Sequence, residues 1–251
     1  GRPLDGHSVV VTGERISAVV PDSEATAYIG QDTSVVDLGG SLLSPGFQDA
    51  HIHPVSGGME MLQCNLTGST DAAASVALIA AYAAANSDED WILGGGWSMD
   101  HFAGGAPTRD LLDAVVPDRP VLLLSRDHHS AWVNTAAIRL AGLDASTPDP
   151  VDGRIEREPD GYPAGTFHEG AGELFAHVRP AHSEELAYRG LLAAQQALIA
   201  LGITGWQDAA VGASSIIADP LGAYRRAIDE GVLRVHVNGA QWWERDGGIE
   251  Q

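Results

Sequence analysis

The pattern of apolar positions in the first part of the chain predicts a β-hairpin. Two runs rich in valine and isoleucine, 9–12 and 15–20, are separated by a two-residue Gly-Glu turn, which is short enough to connect paired strands. Two more short apolar runs, at 34–37 and 41–43, predict two further strands. We therefore expect residues 1–44 to form a small β-structured unit.

From residue 45 onward, short apolar runs alternate with segments of helical periodicity. The alanine-rich segment 70–85 places Val76, Ile79 and Ala83 at helical spacing. Five apolar runs have the length and composition of buried strands, and they lie near 48–52, 91–94, 121–125, 203–207 and 233–237. Strands that alternate with helices indicate a parallel sheet and therefore the α/β class.

A pair of histidines ends the first of these runs. His51 and His53 are two positions apart, so on an extended strand their side chains point to the same side. Two imidazoles held in this way are typical ligands of zinc and related divalent metals. The alternative is a pair of solvent-facing histidines beside the Pro45-Gly46 turn, and the spacing alone leaves both interpretations open.

Composition and charge exclude some classes of binding partner and indicate a cellular compartment. Asp and Glu number 34 against 14 Lys and Arg, which gives a formal net charge of −20. Such a surface repels nucleic acid and anionic membranes, so we expect neither as a partner. The single cysteine, Cys64, excludes an internal disulfide framework and is typical of a reducing compartment, so we expect a cytoplasmic protein. No stretch of the sequence is long and apolar enough to span a membrane.

The residues around the histidine pair resemble a known signature. Residues 45–53 read Pro-Gly-Phe-Gln-Asp-Ala-His-Ile-His and resemble the first-strand motif of the amidohydrolase superfamily, usually Pro-Gly-Phe-Ile-Asp-x-His-x-His, with Gln48 as a mild departure. Later stretches are similar to one branch of it, the YtcJ-like amidohydrolase family 3. They are 94–97 with 107–113, 117–121 followed by 127–137, 161–171, and 202–204 followed by 208–209. His128 departs from this pattern, because that position is usually glycine.

The resemblance implies a (β/α)8 barrel preceded by a small β-sandwich. Residues 1–44 would form part of the N-terminal β-sandwich, and residues 45–251 would form the first part of the barrel. A barrel of this type needs eight strands, and the apolar runs supply about five. The expected fold is therefore α/β, with a partial TIM-type barrel that is apparently truncated.

The resemblance also implies a set of site residues. His51 and His53 would bind one or two divalent ions, with zinc the expected metal, and Glu169 would be a further ligand or else a salt-bridged surface carboxylate. His129 would bind the substrate carbonyl or a developing oxyanion, unless it is a loop histidine bonded to the backbone. Asp208, at the end of its strand, would contact a metal ligand or cap the following turn.

The reaction implied is hydrolysis of a carbon–nitrogen bond in a small, amide-type substrate. The metal would activate a water molecule, and a carboxylate would act as general base. In this superfamily that carboxylate follows the last strand and two more metal histidines come from middle strands, so we expect these groups outside this chain. The alternative is a non-catalytic fragment, or a subunit that needs a homo-oligomer or a complementing chain. A cupin-type metal site is disfavoured, because long alanine-rich helices argue against an all-β fold.

Overall fold

The computed structural model describes residues 2–212, 219–243 and 247–249, and the chain divides into two compact units. The first unit ends at Gly46 and the second begins at Phe47. No helix formed by the described residues is long and apolar enough to cross a membrane.

The first unit contains one hairpin and a short helical segment. β1 (His7–Thr12) and β2 (Arg15–Pro21) pair antiparallel across the Gly-Glu turn, which confirms the predicted hairpin. A four-residue helix, α1 (Asp22–Ala25), follows directly. The two further strands predicted at 34–37 and 41–43 are wrong, because both stretches are irregular backbone.

These two apolar runs stay irregular because neither of them pairs with the hairpin. A strand needs a neighbour to satisfy its backbone N–H and C=O groups, and among the described residues the sheet of this unit contains β1 and β2 alone. Val36 and Leu42 are 75% and 76% exposed, so they bury no core within the unit. The assignment of the hairpin to a β-sandwich stays a prediction.

The second unit alternates strands with helices, as the sequence predicts. Its elements, among the described residues, are β3 (Phe47–Ile52), α2 (Pro54–Leu62), β4 (Cys64–Asn65), α3 (Ala72–Ala85), β5 (Ile92–Trp97), α4 (Arg109–Asp113), β6 (Val121–Ser125), β7 (Ser130–Val133), α5 (Thr135–Leu140), β8 (Gly153–Arg157), β9 (Pro163–Glu169), α6 (Glu184–Ala200), β10 (Ile203–Val211), α7 (Leu221–Asp229) and β11 (His236–Gln241). The mixed α/β class is confirmed.

The strands of this unit form two separate sheets. β11, β10 and β3 make a three-stranded parallel sheet, and the other sheet has six strands in the order β4-β5-β6-β7-β9-β8. In the larger sheet β4, β5 and β6 run parallel, whereas β7, β8 and β9 pair antiparallel. The five predicted strands therefore do not lie side by side in one sheet, since β5 and β6 belong to the mixed sheet. A partial barrel is left as a proposal.

The two faces of the mixed sheet bury different cores. Leu123 of β6 packs in one cluster with Trp97 and with Ile79 of α3, whereas the adjacent Leu122 packs with Phe167 in the other. Neighbouring residues on a strand point to opposite faces, so a continuous run of leucines is required where both faces are covered. This explains why β6 is visible in the sequence as an uninterrupted apolar run.

Helices α2 and α6 pack against each other at two glycines. A Cβ on Gly58 would lie 1.9 Å from the carbonyl oxygen of Gly190, and a Cβ on Gly190 would lie 2.8 Å from the backbone nitrogen of Met59. Both distances are far below van der Waals contact, so the helix backbones approach this closely only because side chains are absent. The same helices supply Val55 and Leu191 to the core beside the parallel sheet.

We predict that Gly58→Ala destabilises the protein by about 1–3 kcal/mol or more, because the added methyl group overpacks the contact between the helices. Gly57→Ala is the matched control: it lies on the same helix, and a Cβ there meets nothing within 4 Å. Since alanine favours helix over glycine, the control should be neutral or slightly stabilising. Denaturant unfolding measures both, and equal midpoints for the two variants would contradict the close contact.

Candidate metal and catalytic site

The histidine pair lies at the carboxyl end of β3. His51 is within the strand, and His53 directly precedes α2, whose first residue is Pro54. The two imidazole rings are 5.4 Å apart between centroids and nearly perpendicular, at 80°. The backbone N–H of His51 donates to the side chain of Asp49 at 3.1 Å, which fixes the backbone at the strand end.

A buried carboxylate stands behind His53. Asp208 of β10 is opposite Ile52 in the parallel ladder, and its Oδ1 lies 4.0 Å from Nδ1 of His53. Its side chain is 2% exposed, compared with 36% for His53. Asp208 also accepts hydrogen bonds from the Tyr224 hydroxyl at 2.9 Å and from the backbone N–H of Ala210 at 3.2 Å. The carboxylate thus caps its own turn and also faces the histidine, and its contact with a metal ligand stays a prediction.

Burial controls the protonation of the Asp208 carboxyl and of the Tyr224 hydroxyl. It raises the pKa of the Asp208 carboxyl, and the hydrogen bonds from Tyr224 and Ala210 oppose that rise. The pKa of the Tyr224 hydroxyl is raised well above its ordinary range, first by burial and then by the charge of Asp208. Tyr224 therefore remains protonated and acts as a donor to Asp208, while its oxygen accepts from the indole N–H of Trp206 at 3.0 Å.

His53 fits the role of a metal ligand on one specific ground. Its Nδ1 is buried and has no hydrogen-bond partner within the described residues. A buried polar atom without a partner costs free energy, and a ring whose Nδ1–H turns toward Asp208 would satisfy it and leave Nε2 for a cation. His51 presents a second imidazole beside it. Across the part of the chain that the structure describes, however, no group of three or more His, Cys, Asp or Glu side chains is arranged to hold a metal ion.

Glu169 and His129 form an ion pair with each other. Nδ1 of His129 lies 3.1 and 3.0 Å from the two carboxylate oxygens of Glu169, and both side chains are largely exposed. The backbone N–H of Glu169 also donates to the carbonyl of His129, at 2.8 Å. The hydrogen bond to Glu169 raises the pKa of His129. Glu169 as a metal ligand and His129 as a substrate-binding group stay predictions.

The backbone of Glu169 has an unusual conformation. Its φ is +50°, in the region that non-glycine residues rarely adopt.

The ion pair of His129 and Glu169 borders a cavity of about 70 Å³, which His128 and Arg179 also line. Because one water molecule occupies about 30 Å³ of liquid volume, this space holds little more than solvent.

A second histidine–carboxylate pair lies beside the first and is not evident from the sequence. Nε2 of His128 is 3.0 Å from Oε1 of Glu60, near the end of α2. His128 has a φ of +64°, which explains why glycine suits this position in the related pattern. The hydrogen bond to Glu60 raises the pKa of His128. The pair joins α2, which follows the histidine strand, to the loop after β6.

Two tryptophans and the single cysteine lie in the core beside the larger sheet. Trp97 and Trp132 are fully buried, and Cys64 is 1% exposed. Burial raises the pKa of the Cys64 thiol to about 12, so it stays protonated and unreactive at neutral pH. His236 begins β11, and its side chain is exposed.

Comparison with known proteins points to one family. A sequence model described as "Amidohydrolase family" matches residues 34–249. The putative amidohydrolase YtcJ of Bacillus subtilis (strain 168) is 30% identical over 225 residues, which cover 87% of this chain and 42% of that protein. The N-substituted formamide deformylase of Arthrobacter pascens is 31% identical over 219 residues, covering 83% and 40%. Protein LONG AFTER FAR-RED 3 of Arabidopsis thaliana is 35% identical over 167 residues, covering 66% and 29%. The chain spans less than half the length of these relatives.

Two solved structures are similar in fold. They are uncharacterised metal-dependent hydrolases from Pyrococcus horikoshii OT3 and Pyrococcus furiosus, with TM-scores of 0.62 and 0.59 and sequence identities of 23% and 25%. Each similarity covers 93% of this chain, and 44% or 45% of the other. At these identities we take from them the arrangement of the fold.

We predict that Glu60→Gln lowers the pKa of His128 toward the ordinary value for histidine, because the variant loses the anionic acceptor. In the wild type the pair stabilises the folded state most at low pH, where His128 is protonated, and this contribution is lost as the pH rises through the raised pKa. NMR titration of the ring protons measures the shift. Glu184→Gln, an exposed carboxylate at the start of α6, is the control, and an unchanged His128 pKa in Glu60→Gln would contradict the pair.

Proposed function

The chain belongs to the amidohydrolase family, and from this membership and its paired histidines we propose that the protein hydrolyses a carbon–nitrogen bond in a small, amide-type substrate. The observation that carries the proposal is the position of His51 and His53 at the carboxyl end of a parallel strand, where α/β enzymes place their active sites. One relative is named an N-substituted formamide deformylase, and that name supports an amide-type bond as the target.

We further propose that β3, β10 and β11 are consecutive strands of a barrel. They are adjacent and parallel in the order in which they occur along the chain, as barrel strands must be. The mixed sheet, β4 to β9, would then be an insertion between the first two barrel strands. This arrangement has three barrel strands where the sequence suggested five.

In this proposal His51 and His53 supply two imidazole ligands to a divalent metal, with zinc the expected ion. A metal in such a site lowers the pKa of a water molecule and polarises a carbonyl group. Glu169 remains a candidate for a further ligand, although its carboxylate bonds to His129 in the mixed sheet. Other ligands would have to come from residues outside those that the structure describes, or from a complementing chain.

The residues of this chain have distinct proposed tasks. Asp208 acts as a positioning residue, because its buried carboxylate faces Nδ1 of His53 and favours one ring orientation. Tyr224 holds Asp208 in place through its hydroxyl group. His129, exposed and with a raised pKa, would donate a hydrogen bond to the substrate carbonyl and to the charge that develops on its oxygen.

A non-catalytic role in an assembly is the second candidate. β3 and β11 are the two edges of the three-stranded parallel sheet, and open edges of a parallel sheet favour pairing with further strands. A homo-oligomer or a complementing chain would supply such strands. The cytoplasmic location proposed from the sequence fits either role.

We predict that the full chain purifies with zinc and that the His51→Ala/His53→Ala double variant does not, because both imidazole ligands are removed. Elemental mass spectrometry of the purified proteins measures the metal directly. His177→Ala is the matched control, since this histidine is exposed and distant in sequence from the pair. Release of amine from a panel of N-substituted amides should also disappear in the double variant alone.

Two outcomes would count against this function. Equal zinc content in the wild type and the double variant would remove His51 and His53 from the metal site. Amide hydrolysis that persists in the double variant would show that the activity does not depend on them. A wild type without metal and without activity would favour the assembly role.

We also predict that Asp208→Asn weakens zinc binding by about 10–100-fold, as is typical when a group that orients a metal-bound histidine is altered. Asparagine keeps the shape and its amide oxygen still accepts from Tyr224, whereas the bond from the Ala210 N–H is lost, so the fold should survive with somewhat lower stability. Competition with a fluorescent chelator measures the affinity, and a variant with wild-type affinity would show that Asp208 only caps its turn.

A further inference from the structure

A cavity of about 380 Å³ opens where β5 and β6 end, in the mixed sheet. Its volume is within the range of small-molecule sites, and ligands of α/β proteins commonly bind outside the carboxyl ends of parallel strands. Met99 contributes apolar atoms to the lining, and Asp100, Arg126 and Asp127 contribute charges. Neither His51 nor His53 lines this cavity, so the proposed hydrolysis does not account for it.

Arg126 is anchored by its backbone, whereas its guanidinium group is almost unused. Its N–H donates to the carbonyl of Trp97 at 2.8 Å, which ties the end of β6 to the end of β5. The guanidinium makes one long hydrogen bond, 3.4 Å, to the carbonyl of Thr67. Within the described residues it has no ion pair, although the chain carries 34 acidic residues. Since guanidinium has five N–H donors, most of them remain for a ligand.

A glycine keeps Thr67 in this position. Gly96 of β5 has a φ of +94°, and a Cβ there would lie 2.7 Å from the side-chain methyl of Thr67 and 2.9 Å from its backbone nitrogen. The loop after β4 therefore reaches the strand end only because residue 96 has no side chain. This close approach brings the Thr67 carbonyl within reach of the Arg126 guanidinium.

Two carboxylates complete the charge pattern. Asp127 accepts from the Ser125 hydroxyl at 2.6 Å and from the backbone N–H of His129 at 3.2 Å. The bond from Ser125 lowers the pKa of Asp127, so this group is ionised. Asp100, which is exposed, is the second carboxylate. The cavity thus presents one cation and two anions that are not paired with each other within 4.0 Å.

From this pattern we infer that the cavity binds a small zwitterion of the amino-acid type. The carboxylate of the ligand pairs with Arg126, which suits the planar guanidinium, and its ammonium group pairs with Asp100 and Asp127. The apolar side chain packs against Met99. A simple anion would meet two carboxylates in this cavity and a simple cation would meet the guanidinium, whereas a zwitterion satisfies both. The inference does not depend on the proposed hydrolase activity.

The test compares three ligands that share the leucine side chain and differ in which charged groups they carry. Leucine carries both charges, leucinamide lacks the carboxylate and N-acetylleucine lacks the ammonium group. Isothermal titration calorimetry on the full chain should show leucine binding at least about tenfold tighter than either derivative, since each loses a charge-assisted hydrogen bond. Leucinamide or N-acetylleucine binding as tightly as leucine would overturn the inference, and so would the absence of leucine binding up to about 10 mM.

Variants locate the site. Arg126→Gln should weaken leucine binding at least about tenfold, and Arg126→Lys should recover part of it because the charge is kept without the planar fork. Asp100→Asn should weaken binding of leucine but not of N-acetylleucine, which lacks the group that Asp100 contacts. Arg139→Gln, an exposed arginine on α5, is the control. Since Arg126 and Asp100 are exposed, their variants should melt as the wild type does, and unchanged leucine affinity in Arg126→Gln would refute the site.

Discussion

The close contact of α2 and α6 at Gly58 and Gly190 determines where the candidate metal site can form. α2 begins directly after His53, and α6 leads into β10, which carries Asp208. α2 follows β3, and α6 precedes β10. Because the two helix backbones meet at this distance, these two strands become neighbours in the parallel sheet. The histidine and the buried carboxylate then face each other. The geometry of the site is therefore a consequence of helix packing at positions that bear no side chain.

Much of the second unit can be predicted from hydrophobic pattern, and what cannot be predicted is mainly which strands pair. β6 occupies the predicted residues, because both of its faces are buried and its apolar run is continuous. β11 begins at His236, three residues later than predicted, since its pattern is weaker and its residues are mostly exposed. The assignment of β5 and β6 to a second sheet depends on contacts between distant segments. Hydrophobic periodicity indicates which residues are buried, but it does not indicate which strands pair with each other. In the first unit, the runs at 34–37 and 41–43 are predicted as strands but are irregular in the structure. Apolar residues alone do not provide the partner strand that a β-strand needs.

The residues of the candidate site also differ in how far the sequence alone predicts them. His51 and His53 are adjacent in sequence and fall within a recognisable motif, so a local pattern is enough to find them. Asp208 could be singled out only as the residue at a strand end, and its alignment with His53 follows from the pairing of β10 with β3. Glu60 gave no signal, because it is one carboxylate among many, and its contact with His128 depends on the left-handed backbone of a single loop residue. Glu169 was prominent because of the resemblance, yet its side chain bonds to His129.

The mixed sheet lies between β3 and β10 along the chain, and this order also constrains folding. These two paired strands are separated by roughly 150 residues of chain, so closing the loop between them early carries a large entropic cost. The pairs β6–β7 and β8–β9 join segments that are close in sequence, and they can form first. Once the mixed sheet has folded, most of the intervening chain is fixed, and the flexible part of the loop is much shorter. The mixed sheet would thus act as an internal template, and the strand that carries the histidines would acquire its neighbour late.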